Sequence, residues 1–161
     1  HPALPSEFDR AQAWPWYSYV IVSVEQRKPG QITSWRLEDD RTRFTPERIA
    51  ERVAELSYGE RLLSAISLSE LQTMIEKAAQ PRAKSAKVWQ ILIHFRFLAF
   101  DEEAARHAGL IRAHLEPRGT AIGPLDTLVA AHARSVGAPV VTDNIAEFRR
   151  VPDLHVENWQ R

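Results

Sequence analysis

Two rhythms of apolar residues alternate along this chain. Aromatic and β-branched side chains crowd short runs at Tyr17 to Val24 (YSYVIVSV), at Leu62 to Ile66, at Phe95 to Phe100 (FRFLAF) and at Pro139 to Thr142 (PVVT), as expected of strands. Between them apolar residues recur every three or four positions: Ile49, Val53 and Leu56; Leu71, Met74 and Ile75; Val88, Trp89, Leu92 and Ile93. That spacing is the one an amphipathic helix buries. Thr45-Pro46-Glu47 reads as a helix start, with Thr45 as cap and Pro46 at the first helical position. Ser67-Leu68-Ser69-Glu70 has the pattern of a capping box, which predicts a helix from there to about Ala79. A further helix follows Pro81, its Val88, Trp89, Leu92 and Phe95 face reading as core or as a dimer surface. Asp101-Glu102-Glu103 places acids in the first turn of a helix ending near Pro117, and another helix runs from Pro124 to Val136, stopped by Gly137. The stretch Gln31 to Arg43 is polar and ambiguous, and Leu154-His155-Val156 is the last apolar run. Residues 1–16 carry three prolines and two tryptophans without periodicity and read as an irregular arm.

Short strands alternating with longer helices predict an α/β fold with a mostly parallel central sheet flanked by helices. Ligands of such folds bind at the carboxyl ends of the strands. Residues at those ends therefore come first: Glu70 after the strand at 62–66, Asp126 in the first turn of its helix, and Asp143 and Asn144 after the strand at 139–142.

Composition narrows the chemistry. The 161 residues fit one domain, expected over 17–161, and carry 21 Lys and Arg against 21 Asp and Glu, so no global field draws the chain to a polyanion. There is no cysteine, which excludes disulfides, thiolate metal sites and cysteine nucleophiles. No apolar run approaches the roughly 18 to 20 residues of a membrane span and no secretory signal is visible, so the expected location is the cytoplasm and no membrane partner is expected. The chain opens on His1 and has its one methionine at Met74, which reads as a processed, cloned or truncated start.

The remaining chemistry is acidic. Carboxylates and a carboxamide from three segments make a set of hard oxygen donors suited to Mg²⁺ or Mn²⁺. Such an ion activates water and stabilises charge developing on a phosphate oxygen. Each residue also has a plainer reading: Glu70 as a member of the capping box, Asp126 as an acid meeting a helix dipole, Asp143 and Asn144 as turn residues. His107, His114 and His132 form no zinc-type pair and read as solvated or partly buried rings.

From Leu63 to Trp159 the sequence resembles PIN-domain proteins, specifically VapC-type toxins of bacterial type II toxin-antitoxin pairs. The pieces that carry the resemblance are Ala65-Ile66-Ser67-Leu68-Ser69-Glu70-Leu71, Ile122-Gly123-Pro124-Leu125-Asp126 with Ala130-Ala131-His132-Ala133-Arg134, Val140-Val141-Thr142-Asp143-Asn144, and Glu147-Phe148 with Val156-Glu157-Asn158-Trp159. The resemblance implies a PIN-like three-layer fold, clearest over 61–161 and divergent over 17–60. It also implies a Mg²⁺- or Mn²⁺-dependent endoribonuclease acting on structured RNA such as tRNA, an antitoxin that blocks the acidic groove, and a homodimer. Glu70 and Asp126 match the family's second and third acidic positions, Asn144 its fourth with Asp143 as acidic neighbour, and Thr142 its threonine. Arg112 and Arg118, flanking the approach to Asp126, are candidates for contact with the RNA backbone.

The family's opening strand and its Leu-Asp-Thr-Asn, whose aspartate is the first ligand, have no counterpart here. Family spacing points to Ser34 and Trp35, so the substitutes to consider are Asp39, Asp40 and Glu25. A catalytically impaired PIN relative acting as an interaction module is the alternative this leaves open. A flavodoxin-like small-molecule domain is a third reading, disfavoured because no Gly-rich turn follows Val24.

Overall fold

The computed structural model describes residues 4–7, 10, 18–25 and 28–159, with the backbone alone described at 18–25, 28–32 and 47. The arm expected over 1–16 lies almost wholly outside the described residues. The chain divides into two compact units, Ser57–Asn158 and His1–Leu56 with Trp159–Arg161.

In the smaller unit β1 (Ser18–Glu25), β2 (Lys28–Leu37) and β3 (Phe44–Glu47) form one antiparallel sheet in the order β1-β2-β3. The run read as a strand at 17–24 is β1, and much of the ambiguous polar stretch belongs to β2. Two expectations are corrected here. The first strands are antiparallel, where parallel pairing was expected. Thr45 and Pro46 do not open a helix but lie in β3, where Trp35 is opposite Pro46. Proline lacks the amide that a central strand needs, and β3 is an edge strand, where one is tolerated. Thr45 Oγ1 donates to Glu38 Oε1 at 2.7 Å instead of capping. The helix α1 (Ile49–Glu55) begins later, and the Ser34 hydroxyl accepts its Ala50 N–H at 3.1 Å from across the sheet.

In the larger unit β4 (Leu62–Ser64) pairs in parallel with β5 (Arg96–Leu98), and β6 (Val140–Val141) with β7 (Val156–Glu157). The helices are α2 (Ala65–Glu76), α3 (Pro81–Leu92), α4 (Glu102–Leu115), α5 (Pro124–Ser135) and the short α6 (Ile145–Phe148). The α/β reading therefore holds, with parallel strands linked through helices. Among the described residues no helix is long and apolar enough to cross a membrane.

The start of α2 corrects the capping box. Ser64, not Ser67, is the cap, its Oγ accepting the Ile66 N–H at 3.1 Å. The same hydroxyl lies 2.9 Å from His132 Nδ1, so a distant side chain selects which serine caps the helix. Glu70 falls in the second turn and caps nothing. At α4 Asp101, read as an acid of the first turn, is the cap, accepting the Ala104 N–H at 2.9 Å.

The core is built by α4 against α5. Ala104, Ala108, Ile111 and Leu115 recur on the buried face of α4, and Thr127, Ala130, Ala131 and His132 on that of α5. Alanines at the crossing let the two backbones approach, and Val140, Phe148 and Val151 close the cluster. His132 is 3% exposed. Phe100 meets its ring edge-on at 5.6 Å between centroids, and the Ala99 backbone hydrogen-bonds to it.

Burial holds His132 below the ordinary histidine range, against opposing effects from the Asp101 charge and the Ala99 bond. A depressed folded value means the fold favours the neutral ring. Its stabilisation is complete above the unfolded value and is lost as pH falls through the folded one. Thermal midpoints are expected to fall as pH drops from 7 to 5. His132→Gln should flatten that dependence while costing about 1–3 kcal/mol at pH 7; an unchanged pH slope in thermal unfolding would contradict this.

Candidate functional site

The loop Ile122-Gly123-Pro124 delivers α5 with Pro124 at its first position and Asp126 in its first turn. The Thr127 hydroxyl and amide both donate to the Gly123 carbonyl, at 2.9 and 2.8 Å. A side chain at Gly123 would crowd the acid, because a Cβ there stands 3.2 Å from Asp126 Oδ2. Glycine here thus leaves space for one rotamer of Asp126.

After β6 the chain makes a second approach. Thr142 Oγ1 accepts the Asn144 N–H at 3.1 Å, which bends the chain into α6. Asn144 Nδ2 reaches Asp126 Oδ2 at 3.4 Å. Phe148, 4% exposed in the core, anchors α6. Three residues after Asn144, Glu147 lies on the same side of the short helix and its Oε2 accepts the Gly123 N–H at 3.4 Å. Two carboxylates and a carboxamide thus converge at the start of α5.

Burial pushes the Asp126 carboxyl above the ordinary aspartate range, and the charge and hydrogen bond of Glu147 push it further, with the Asn144 amide pulling partly back. All the donors are hard oxygens, so the set suits Mg²⁺ or Mn²⁺.

Of the residues singled out in the sequence, the structure brings together Asp126, Asn144 and, through the bend, Thr142. Asp143 is exposed, its carbonyl accepting the Ile145 N–H at 2.8 Å. Glu70 is exposed on α2 with no hydrogen bond or ion pair among the described residues. Among the described residues no three acids or histidines form a metal-holding group. Asp39 and Asp40 sit in the β2–β3 turn, where Asp40 Oδ1 accepts the Thr42 amide at 2.9 Å and its hydroxyl at 2.8 Å. Glu25 ends β1, and its side chain lies outside the described features. Arg112 is paired with Glu116 at 2.8 Å, and Arg118 donates to the His114 carbonyl. Arg112 also borders a cavity of about 410 Å³, lined by Leu115, Ile122, Pro124 and Leu128.

Glu147 was not singled out as a site residue. Its signal was the i, i+3 spacing from Asn144, but that spacing gains meaning only once the loop turns toward Gly123. At the position expected of a first aspartate stands Ser34, 1% exposed and engaged with the Ala50 amide. Beside it, Trp35 donates its indole N–H to Thr33 Oγ1 at 2.8 Å.

The sequence profile of the PIN domain matches residues 34–154. The chain belongs to the PIN domain family. It is 40% identical over 114 residues to the tRNA(fMet)-specific endonuclease VapC of Salmonella typhimurium strain LT2, covering 71% of this chain and 86% of that one. It is 38% identical over 140 residues to the ribonuclease VapC2 of Haemophilus influenzae strain Rd, covering 87% of this chain and 92% of that one. Among solved structures it matches the DNA-bound VapBC of Salmonella typhimurium with a TM-score of 0.67 at 40% identity, covering 71% of this chain and 86% of that one. Family membership sets aside the flavodoxin-like reading. The PIN match begins at Ser34, the residue to which family spacing had pointed.

The raised Asp126 value has a sign that can be checked. Its protonated form is favoured in the fold, so its contribution to stability is present below the unfolded value and lost as pH rises through the folded one. Without added metal, Asp126→Asn should raise the thermal midpoint at pH 7 and converge with the wild type below about pH 4. Glu147→Gln should move Asp126 back toward the ordinary aspartate range in a carboxyl-carbon NMR titration; an unmoved titration would mean that Glu147 does not act on it.

Proposed function

We propose that this PIN-domain protein is a metal-dependent endoribonuclease toxin that cuts structured RNA such as tRNA in the cytoplasm and is held inactive by a cognate antitoxin. One observation carries the reading: Asp126, Glu147 and Asn144 converge at the start of α5 in a chain 40% identical to a tRNA-specific VapC. The antitoxin partner is supported by the likeness to VapBC, and a homodimer is part of the same family reading.

In this reading Asp126 and Glu147 hold Mg²⁺ or Mn²⁺, and Asn144 orients the Asp126 carboxylate. The bound cation supplies positive charge to a phosphate oxygen and lowers the pKa of water. Thr142 keeps the loop bent so that Asn144 and Glu147 reach Asp126. Glu70 is assigned to the rim of the same site. Asp143 is an exposed acid at the same rim. Arg112 and Arg118 are assigned to the RNA backbone, exchanging their present partners for phosphates.

Ser34 favours a second reading. A serine committed to a helix amide supplies no anionic ligand, so the metal would be held by fewer carboxylates than the family uses, unless Asp39, Asp40 or Glu25 contributes. The chain would then keep the fold and its partner surfaces as an interaction module with weakened catalysis.

With antitoxin removed and Mg²⁺ present, the protein should cleave members of a tRNA panel. Asp126→Asn should lower the rate by about 100-fold or more, and Glu147→Gln should also lower it. Cleavage that ignores Asp126→Asn belongs to a contaminant. Mn²⁺ titration by calorimetry separates the two readings: heat that disappears in Asp126→Asn supports the nuclease, whereas no uptake and no cleavage beside intact antitoxin binding supports the interaction module.

A further inference from the structure

Arg134 stands in the last turn of α5, where a cation meets the helix dipole whatever else it does. Its guanidinium is also half-buried and pairs with no carboxylate among the described residues. Nε donates to His107 Nδ1 at 3.0 Å, one terminal nitrogen to the Pro152 carbonyl at 3.1 Å and the other to the His107 carbonyl at 3.4 Å. An arginine N–H only donates, so His107 Nδ1 accepts, which leaves the ring proton on Nε2, 3.2 Å from Glu103 Oε1. One side chain thus joins α5, α4 and the chain that leaves α6. That chain is the exit of the acidic site. The Arg150 N–H donates to the Glu147 carbonyl at 3.0 Å and the Val151 N–H to that of Phe148 at 3.1 Å, and Pro152 follows. From the same turn the Arg150 guanidinium reaches the Ala121 carbonyl at 3.3 Å, two residues before Gly123.

We propose that Arg134 is a positioning residue for the acidic pair: by holding the Pro152 carbonyl it sets the approach of Glu147 to Gly123 and Asp126 and, through that approach, the affinity of the pair for a divalent cation. Phe148 and Val151, 4% and 3% exposed, fix how deep the turn sits in the core. Apolar burial is non-directional, so by itself it leaves a four-residue helix free to rotate about those anchors. Two polar contacts to α5 remove that freedom, Asn144 Nδ2 on Asp126 at the entry to α6 and Arg134 on Pro152 after its exit. Asp126 and Arg134 lie on one helix, so the acid and the clamp keep a fixed spacing, and α6 is held against the axis that carries Asp126. The effect on the cation rests on reading Asp126 and Glu147 as metal ligands; the effect on Glu147 does not.

The test has two readouts on the full chain, the Gly123 amide resonance in metal-free protein and the Kd for Mn²⁺ by calorimetry, both well below the thermal midpoint of each variant. Arg134→Lys keeps the charge but loses the fork that spans an imidazole and a carbonyl. It is expected to move the Gly123 amide in the direction that Glu147→Gln moves it, and to raise the Mn²⁺ Kd about tenfold, the lower end of what loss of a supporting contact costs a metal site. His107→Leu, which removes the Nδ1 acceptor, should act in the same direction. His107→Asn, whose Oδ1 stands near the place of Nδ1, should restore both readouts, and this pair carries the test if Arg134→Lys does not fold. A lowered thermal midpoint with the Gly123 amide and the Mn²⁺ Kd unchanged would make Arg134 a structural residue only and overturn the proposal. Mn²⁺ uptake that survives Asp126→Asn would overturn the metal reading instead, and the Gly123 amide would still decide whether Arg134 places Glu147.

Discussion

The close packing of α4 on α5 is the constraint on which the larger unit depends. Ala104 and Ala108 on one helix and Ala130 and Ala131 on the other are small enough to let the backbones approach, and Ile111 and Leu115 fill the space beside them. Interiors packed at crystal-like density tolerate little change in volume, so the axis of α5 is well determined. Its first turn carries Asp126. The same cluster receives Phe148, which sets α6 and with it Asn144 and Glu147. One apolar contact therefore positions both halves of the acidic site, although none of its residues carries the chemistry.

His132 ties a second layer to this core. Its buried ring reaches the serine that caps α2, a backbone group at Ala99 and the edge of Phe100. A polar group at such depth is costly unless its bonds are made, and here they join α5 to the ends of β4 and β5. This explains why Ser64 rather than Ser67 begins α2. The plain reading of Glu70 as a capping residue fails for the same reason, since the helix already has its cap three residues earlier.

The acidic site is electrostatically unfavourable as it stands, with Asp126 desolvated and facing a second carboxylate. Surplus like charge in a partly buried cleft is common at sites that bind cations or move protons. A surplus of the opposite sign lies between Glu76 and Asp101, where Lys77, Arg82, Lys84, Lys87 and Arg96 are all exposed. In a chain whose formal charge sums to zero, the two signs are thus separated along the sequence. In the smaller unit, by contrast, Glu38 and Asp40 are used within a hairpin, where Thr42, Arg43 and Thr45 hydrogen-bond to them.

Much of this was readable from local pattern. Helix spacing identified α3, α4 and α5 to within a few residues, the acids at 101–103 marked the start of α4, and Asp126 and Asn144 stood at strand and helix ends, because periodicity and helix-end chemistry are decided by near neighbours in sequence. The errors share a cause. Thr45-Pro46 looked like a helix start, yet an edge-strand position gave the proline a place and Ser34, sixteen residues away, supplied the cap. Ser64 was chosen over Ser67 by a histidine 68 residues distant. Glu147 joined the site only because Phe148 is drawn into the core and the loop folds back on Gly123. Sequence by itself determined the likeness to PIN-domain proteins, which residues are candidates for the acidic site, and which segments are helical. Tertiary structure alone decided which of those residues meet, because hydrogen bonds and packing across long separations carry no local signature.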